Sequence, residues 1–427
     1  MGGAVTYLTN VLRCLPPPDS GHEFHVFLPP ETAEKQVGLA GNIHLLPTKI
    51  GHAKWWKRLW WEQVTLRRYL RKLRMDALFS TANFGMFHCP VRQFLLVRIP
   101  LYFSTIYLET FLPLHPLAFR ASFRLRRWLC CRSIRWADVV MTPTQAMLEE
   151  LRAYVDCPPA KAVVNHYGVA EPADGDMVHT PPKGDSSSFR LLYISLYAEH
   201  KNLTTLLKAL PLINRDATQT FVLMTTVNPN WEAASCTLTH KDDIDLARRQ
   251  DIAPWVKFVG PLGKKEIEEQ YRNADIFVFP SLTESFGHPM VEAMAHGLPV
   301  VAADTPVNRE MCGDAAIYFS PLEPADLAQA IHRVATDSPL RRRLGLEGQR
   351  RARTVFRWDT HVRRILEIAR AEQPEVLQEF SQDSLTQRGE ECLIPHTITN
   401  KPVKLPHHWT EGRAPSVPGR SIRNGHG

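Results

Sequence analysis

The sequence predicts an α/β protein made of two doubly wound domains, each built on a parallel sheet. Short apolar runs alternate with amphipathic helical segments along most of the 427 residues, which is the pattern of βαβ units. Some of these runs, such as residues 276–279, are apolar throughout, as expected for strands that are buried on both faces. A stretch rich in Pro, Gly, Asp and Ser at residues 171–188 separates the two halves, and the length suffices for two complete cores.

The first half, residues 1–170, contains the elements of one such domain. Strands are predicted at residues 23–28, 43–46, 77–79, 94–97 and 139–142. Helices are predicted at residues 5–15, 56–73, 117–136 and 145–154. The sequence opens directly on a helix, although the first strand of a doubly wound domain lies in the middle of its sheet. We therefore expect the natural chain to begin roughly ten residues before Met1, with a mostly apolar strand of the usual length.

The second half predicts a second domain at residues 189–356 and a closing helix at residues 357–371. Its strands are predicted at residues 190–195, 220–227, 256–260, 276–279, 300–303 and 317–320. Its helices are predicted at residues 202–212, 242–249, 264–273, 289–296 and 325–335. Beyond that, residues 372–427 are rich in Pro, Ser, Thr, Asn, Gly and His with few apolar clusters, which predicts a disordered tail.

The loop between the strands at 276–279 and 300–303 is predicted to bind an anion. Pro289 suits the first position of the helix that follows, because its missing N–H costs nothing there. The backbone amides of Gly287, His288 and Met290 are then expected to stay free at the helix N-terminus. Free amides at that end of a helix favour a phosphate.

Two carboxylates, Glu284 and Glu292, flank this amide cluster with seven residues between them. Because like charges repel, both cannot bind the phosphate, but each can accept hydrogen bonds from sugar hydroxyls beside it. A nucleotide diphosphate sugar has this layout, with a ribose on one side of its pyrophosphate and a hexose on the other. The alternative is that both side chains only cap and solubilise the start of a helix.

Glu284 and Glu292, with the intervening SFGHPMV and the following AMAHGLPVV, closely resemble the Glu-x7-Glu signature of retaining glycosyltransferases of family 4. That family has two Rossmann-like domains facing across a cleft, the GT-B fold. The resemblance implies that Glu284 and the amides of Phe286 and Gly287 hold the transferred sugar and that Glu292 holds the ribose. It includes His288 on the donor side.

A second donor-side group follows from the loop SLYAEHK, which delivers Lys201 to the start of a helix. A lysine in such a turn can neutralise a diphosphate, and in family 4 a Lys followed by Gly or Asn has this role. The alternative is a structural lysine. The loop lacks the upstream Arg that many members carry, so either Arg309 or another group takes its place or diphosphate binding is weaker. The pair Gly2-Gly3 resembles the glycine loop that follows the first strand of the family and is assigned to the donor side.

The acceptor side resembles the family less closely. Relatives often carry a His after an apolar strand of the first domain, whereas this chain reads LLVRIPLYF there, with Arg98 and no His. His88 is the nearest alternative. Arg98 and His88 are therefore the candidates for the acceptor side.

The resemblance spans about residues 2–370 and implies a retaining transfer of a hexose from a nucleotide diphosphate sugar to a hydroxyl of a glycan or lipid-linked acceptor. The family suggests a place in envelope or exopolysaccharide synthesis. It also implies that no metal or other cofactor is needed, since Lys201 and the helix amides stabilise the departing diphosphate. Two other classes stay open, a sugar-nucleotide epimerase of the same fold and a catalytically impaired nucleotide-sugar-binding protein.

Cysteine usage and charge bear on location. The eight cysteines form no C-x2-C pairs and no signal peptide is recognisable, which predicts a cytoplasmic protein. Residues 54–74 hold eight Lys or Arg and four Trp. One interpretation is a helix face that rests on anionic lipid at the inner face of the membrane. The other is a solvated helix with two Trp packed inward. The net charge of +7 is accompanied by no nucleic-acid-reading module, so we expect no nucleic acid partner.

Overall fold

The computed structural model describes residues 3–81, 83–170, 172, 188–215, 217–230 and 239–371. Gly2 and the predicted tail at 372–427 lie outside the described residues, as does the predicted linker except for Pro172 and Ser188. Ser188 is the first residue of a strand rather than the last of a linker.

Six parallel strands form two sheets in the described part of the first half of the chain, which we call the first lobe. One sheet pairs β1 (Phe24–Leu28) with β2 (Ile43–Pro47), and the other has the order β3 (Ala77–Ser80), β4 (Arg92–Leu96), β5 (Val139–Thr142), β6 (Ala162–Val164). The helices are α1 (Gly3–Arg13), α2 (Pro30–Ala33), α3 (Trp55–Trp61), α4 (Arg67–Lys72), α5 (Leu117–Trp136) and α6 (Gln145–Arg152). A π-helical turn at Glu62–Leu66 joins α3 to α4, and another lies at Tyr107–Phe111.

The two sheets of the first lobe meet the same helix. Phe27 of β1 and Leu78 of β3 both pack on the cluster formed by Leu66, Leu70 and Met86. Within the described residues, no ladder of hydrogen bonds joins β1 or β2 to the other sheet. The strand that we expect ahead of Met1 stays a prediction.

Within the described residues of the second half of the chain, which we call the second lobe, six parallel strands form one sheet. They are β7 (Ser188–Tyr193), β8 (Thr220–Thr225), β9 (Val256–Phe258), β10 (Ile276–Phe279), β11 (Val300–Ala303) and β12 (Ala316–Phe319), and their order in the sheet is β12-β11-β10-β7-β8-β9. The helices are α7 (Leu203–Asn214), α8 (His240–Ala247), α9 (Lys264–Asn273), α10 (His288–Ala295), α11 (Pro306–Cys312), α12 (Pro324–Thr336) and α13 (Ser338–Val355). Strands β10 and β11 are buried along their whole length, as their apolar sequences predict.

The last described helix, α14 (Trp358–Arg370), packs on the first lobe. The Tyr7 hydroxyl of α1 lies 2.9 Å from Nε2 of His361, and the amide of Asn165 donates to the carbonyl of His361 at 3.1 Å. A Cβ atom on Gly168 would lie 2.2 Å from the backbone nitrogen of Trp358, so only glycine permits this approach. One hydrophobic cluster consequently runs through both lobes.

Most predicted elements are present with ends shifted by one to three residues. The segment 163–169 holds the end of the short strand β6 at Val164, after which the chain turns towards α14. The prediction missed α13 and both π-helical turns. Within the described residues, no helix combines the length and the apolar character that crossing a membrane requires.

Candidate active site

The candidate site lies where the winding of the second sheet reverses direction. From β7 the chain proceeds outward through β8 to β9, and it then returns to place β10 on the other side of β7 and continues to β12. The crevice at the carboxyl ends of β7 and β10 is therefore the switch point, which is where open α/β sheets bind ligands. Lys201 follows β7, and Glu284 follows β10.

Lys201 and Glu284 form an ion pair in this crevice. The Lys201 ammonium donates to Oε1 of Glu284, and the Ser281 hydroxyl donates to the same oxygen at 2.9 Å. Asn202, in the left-handed region at φ 57°, donates its side-chain amide to the carbonyl of Pro280 at 3.1 Å. These bonds tie the loop after β7 to the loop after β10. The sequence predicted both ionic groups but not their pairing.

The start of α10 differs from the prediction in one detail. His288 is the first residue of α10 and Pro289 the second, after Gly287 at φ 79°. The Met290 amide donates to the Gly287 carbonyl at 2.9 Å, so the expectation that this amide is free was wrong. The amides of Gly287 and His288 precede the helical ladder, and no acceptor within the described residues takes them. Two amides, rather than three, are open to an anion.

His288 is held in its neutral form by its surroundings. Its ring stacks on Tyr167 of the first lobe, with the centroids 5.3 Å apart, and the Phe286 ring lies 4.9 Å away. Burial, followed by the positive charges of Arg98 and Lys201, lowers the pKa of His288 to about 4. The imidazole can therefore act as a neutral donor and acceptor at pH 7.

Glu292 lies on the first turns of α10 and is bonded to α9. The Tyr271 hydroxyl donates to Oε2 of Glu292 at 3.0 Å. Burial raises the pKa of the Glu292 carboxyl, while this hydrogen bond acts in the opposite direction. The sequence analysis missed Tyr271. Tyr271 follows Ile267 by four residues on a helix that is otherwise charged or polar. The two apolar side chains therefore share one helix face, and this pattern indicates that Tyr271 faces inward.

Of the two acceptor-side candidates, the structure brings only Arg98 towards these groups. The Arg98 guanidinium lies 5.4 Å from the centre of the Tyr7 ring, and its charge acts on His288. His88 contacts α5 through the Trp136 ring, 4.9 Å away, and its carbonyl accepts from Arg67 of α4 at 2.7 Å. None of the contacts described for His88 is with a donor-side residue.

Gly2-Gly3 and Arg309 are the other residues assigned to the donor side. Gly3 is the first residue of α1, and its partner Gly2 lies outside the described residues, so their role stays a prediction. Arg309 lies on α11, where its guanidinium binds both carboxylate oxygens of Asp304, with Nη2 to Oδ2 at 2.6 Å. Its ring contact is with Tyr318, 4.4 Å away. No observation tests its proposed contact with a diphosphate.

Sequence reasoning missed a buried pair between the lobes. His115 precedes α5 in the first lobe, and its Nε2 lies 2.9 Å from Oε1 of Glu199, two residues before Lys201. The two side chains are 3% and 4% exposed. The Tyr107 hydroxyl lies 3.4 Å from the His115 nitrogen and 3.5 Å from the Glu199 oxygen. No local pattern connects residues so far apart in the chain.

Two further polar contacts join the lobes near the same crevice. The Thr144 hydroxyl donates to the carbonyl of Ser285 at 3.1 Å. The Glu310 carboxylate accepts from the amides of Gln145 and Ala146 at 2.7 Å each, which caps the N-terminus of α6 from the other lobe.

Comparison with known proteins agrees with this architecture. Sucrose-phosphate synthase from Thermosynechococcus elongatus superposes with a TM-score of 0.66 at 17% identity, covering 86% of this chain and 93% of that chain. The Anabaena protein HepE in complex with UDP-glucose superposes with a TM-score of 0.61 at 18% identity, covering 86% and 96%. The predicted GT-B fold is thereby confirmed.

Family models identify the chain more narrowly. The model described as Glycosyltransferase Family 4 matches residues 1–171, and the model described as Glycosyl transferases group 1 matches residues 188–337. The chain belongs to glycosyltransferase family 4. A D-inositol 3-phosphate glycosyltransferase of Thermomonospora curvata is 38% identical over 125 residues, which are 29% of each chain. The chain spans less than a third of the length of the first curated relatives it matches.

Proposed function

We propose that this protein is a retaining glycosyltransferase, which moves a hexose from a nucleotide diphosphate sugar to a hydroxyl acceptor. The observation that carries the proposal is the meeting of a lysine, a carboxylate and two open amides at the switch point between β7 and β10. A pyrophosphate needs the lysine and the amides, and a sugar hydroxyl needs the carboxylate.

The roles follow from the charge of each group. Lys201 and the amides of Gly287 and His288 hold the diphosphate and stabilise the negative charge that grows as it departs. Glu284 accepts hydrogen bonds from the hexose, and Glu292 accepts them from the ribose. When the donor binds, Lys201 gains the diphosphate as a partner and Glu284 gains the hexose. The ion pair between them holds both side chains in position for these two parts of one ligand.

The stereochemistry is proposed from the family. Retention there is described as attack from the face that the diphosphate leaves, with a donor phosphate oxygen taking the acceptor proton. A side-chain base is then unnecessary, which fits a cleft whose buried His288 is a weak base with a pKa of about 4. Arg98, beside His288, is proposed to face the acceptor or the phosphates.

The choice of substrates starts from the relatives. One matched relative is named a D-inositol 3-phosphate glycosyltransferase, and one structural neighbour holds UDP-glucose. UDP-sugars are therefore the first donors to test, ahead of GDP-sugars. The acceptor is proposed to be a hydroxyl of a glycan or lipid-linked molecule in envelope or exopolysaccharide synthesis.

The test is incubation of the protein with a panel of nucleotide sugars, with and without hydroxyl acceptors. Release of nucleotide diphosphate with formation of a glycoside that keeps the anomeric configuration, read by NMR, supports the proposal. A changed sugar without acceptor indicates an epimerase, and donor binding without any product indicates an impaired binding protein. Either outcome across the whole panel overturns the proposal. The Glu284→Gln variant is the matched negative control.

We also propose a peripheral contact with the inner face of the membrane, made by α3. Trp56 and Trp60 are 50% and 62% exposed on one side of this helix, and Lys57 lies 5.3 Å from the Trp56 ring. Trp61 instead packs inward, 5.1 Å from the Phe27 ring. An exposed aromatic and basic face suits anionic headgroups.

Sedimentation with vesicles tests the contact. Binding should require anionic lipid, weaken as salt rises and fall in a Trp56→Ala/Trp60→Ala variant. Trp128→Ala, which removes an exposed Trp from α5, is the control and should bind as the wild type does. Binding that is indifferent to lipid charge would assign α3 to the solvated alternative.

A further inference from the structure

Two histidines and a carboxylate meet on one face of the β1–β2 sheet, apart from the candidate active site. His25 is the second residue of β1 and His44 the second of β2, and the two residues are partners in the parallel register. Their rings stack with the centroids 4.7 Å apart and the planes 27° from parallel. Glu23 precedes β1 by one residue and lies on the face of His25, because side chains alternate along a strand.

The ring nitrogens of both histidines converge on one carboxylate oxygen. Nε2 of His25 and Nε2 of His44 each lie 3.9 Å from Oε2 of Glu23, and the three atoms lie within 4.8 Å of one another. A tetrahedral zinc ion with bonds of about 2.0–2.2 Å holds its ligand atoms about 3.3–3.6 Å apart. The separations therefore exceed those of a filled site by about 0.3 Å to at most about 1.5 Å.

The side chains can close that distance without repacking the core. The Glu23 side chain is 74% exposed and that of His44 is 44% exposed, so both can rotate freely, whereas His25, at 18%, is fixed more firmly. One anchored ligand and two adjustable ones let an ion set its own bond lengths.

We propose that Glu23, His25 and His44 form a binding site for a divalent transition-metal ion of the zinc type. Imidazole nitrogen with one carboxylate oxygen suits Zn²⁺, Co²⁺ or Ni²⁺, while Mg²⁺ and Ca²⁺ prefer shells of oxygen. Three protein ligands leave the fourth tetrahedral position to water or to an atom of another molecule.

The ion would connect the two strands of a small sheet. A two-stranded sheet is marginal by itself, and within the described residues β1 and β2 form ladder hydrogen bonds only with each other. The ligands come together only in the folded chain, so binding stabilises the folded lobe. None of the three residues contacts the donor-side groups, and the proposal is therefore independent of the glycosyltransferase assignment.

Calorimetric titration with Zn²⁺ tests the site on the full chain, expressed without a histidine tag and stripped with a chelator. We expect one equivalent of Zn²⁺ to bind and the melting temperature to rise with it. The His44→Ala and Glu23→Gln variants change exposed side chains and should fold. His44→Ala should weaken binding by more than about 100-fold, since the loss of an outer-shell partner alone costs about 10–100-fold.

His52→Ala is the matched control. His52 also faces a carboxylate, with Nε2 2.6 Å from Oε1 of Glu31, but among the residues that the structure describes no third ligand completes that pair. The variant should bind Zn²⁺ and shift its melting temperature as the wild type does. Equal binding by wild type and His44→Ala overturns the proposal, as does the absence of binding at micromolar Zn²⁺. His407 and His408 lie in the predicted tail, outside the described residues. Loss of binding in the variant His407→Ala/His408→Ala, with wild-type binding in His44→Ala, would also overturn the proposal, because the tail would then hold the ion.

Discussion

The buried contact between His115 and Glu199 is expected to contribute strongly to the stability of the protein. The change is His115→Phe, which keeps a ring to stack on Phe119, whose centroid lies 4.1 Å from that of His115, and removes the nitrogen that faces Glu199. In this variant the carboxyl group of Glu199 stays buried, and the Tyr107 hydroxyl, 3.5 Å from its Oε1, is left beside it.

The expected loss follows from leaving a buried carboxyl group without its main hydrogen-bond partner. An unsatisfied buried acceptor costs about 1–3 kcal/mol of unfolding free energy, and more when the group is charged, compared with about 5–15 kcal/mol for the stability of a typical protein. Replacing both members by apolar residues is often neutral. The double variant His115→Phe/Glu199→Leu should therefore lie close to the wild type, although each single variant is strongly destabilised.

Urea unfolding of the four proteins, followed by circular dichroism, completes the double-mutant cycle. His52→Phe is the control, because the His52–Glu31 pair has a shorter separation of 2.6 Å but is exposed, and its loss should have little effect. The reasoning would be refuted if His115→Phe were no more destabilising than His52→Phe. A second reading is the donor KM, which should rise in His115→Phe because Glu199 lies two residues before Lys201.

The donor-side residues and one buried histidine give three more expected outcomes. Glu292→Gln should mainly raise the donor KM, and Glu284→Gln should mainly lower kcat, because only Glu284 is proposed to contact the transferred sugar. Each substitution removes a charge-assisted hydrogen bond of about 1.5–3 kcal/mol. Steady-state kinetics checks both variants, and wild-type values of KM and kcat would reject the assignment. Lys201→Ala should lower both the rate and the calorimetric affinity for nucleotide diphosphate, and no change in either would remove its role. Burial lowers the pKa of His361 to about 3, so below pH 6.5 the unfolded chain binds more protons and this group makes stability fall as pH falls towards 3. The wild type should lose about 2 kcal/mol of unfolding free energy through His361 between pH 7 and pH 5, whereas His361→Gln lacks this loss. The difference in unfolding free energy between the two proteins, measured in urea, should therefore shrink by about 2 kcal/mol over this range. An equal difference at both pH values contradicts the argument.

The sequence predicted the switch-point unit well because its signals are local. The strands β10 and β11 are uninterrupted apolar runs, and Pro and Gly punctuate the segment between them. Glu284 and Glu292 were singled out by their spacing in that unit, and Lys201 by its place after β7; their roles in donor binding stay predictions. The strands and the loops between them depend only on neighbouring residues, which is why they can be predicted without knowledge of the rest of the fold.

The helix α13 shows why other parts could not be predicted. Besides Leu340 and Leu344, it packs through the small residues Gly345, Gly348 and Ala352, so hydrophobic periodicity is weak along it. A Cβ atom on Gly345 would lie 2.3 Å from the carbonyl oxygen of Gly297, and one on Gly348 would lie 3.4 Å from the side chain of Met294. Close approach of this kind depends on two segments distant in sequence, and neither reveals it alone.

The contacts between the lobes end on the loops that carry the proposed donor groups. Thr144 of the first lobe bonds the backbone of Ser285, next to the first signature glutamate, and His115 bonds Glu199, just before the lysine proposed to bind diphosphate. Arg98 adds a positive charge that acts on the histidine at the start of α10. A change in the distance between the lobes must therefore move the loops that are proposed to hold the sugar and the diphosphate. Substitutions in the first lobe that touch no donor are consequently expected to alter donor affinity through these loops.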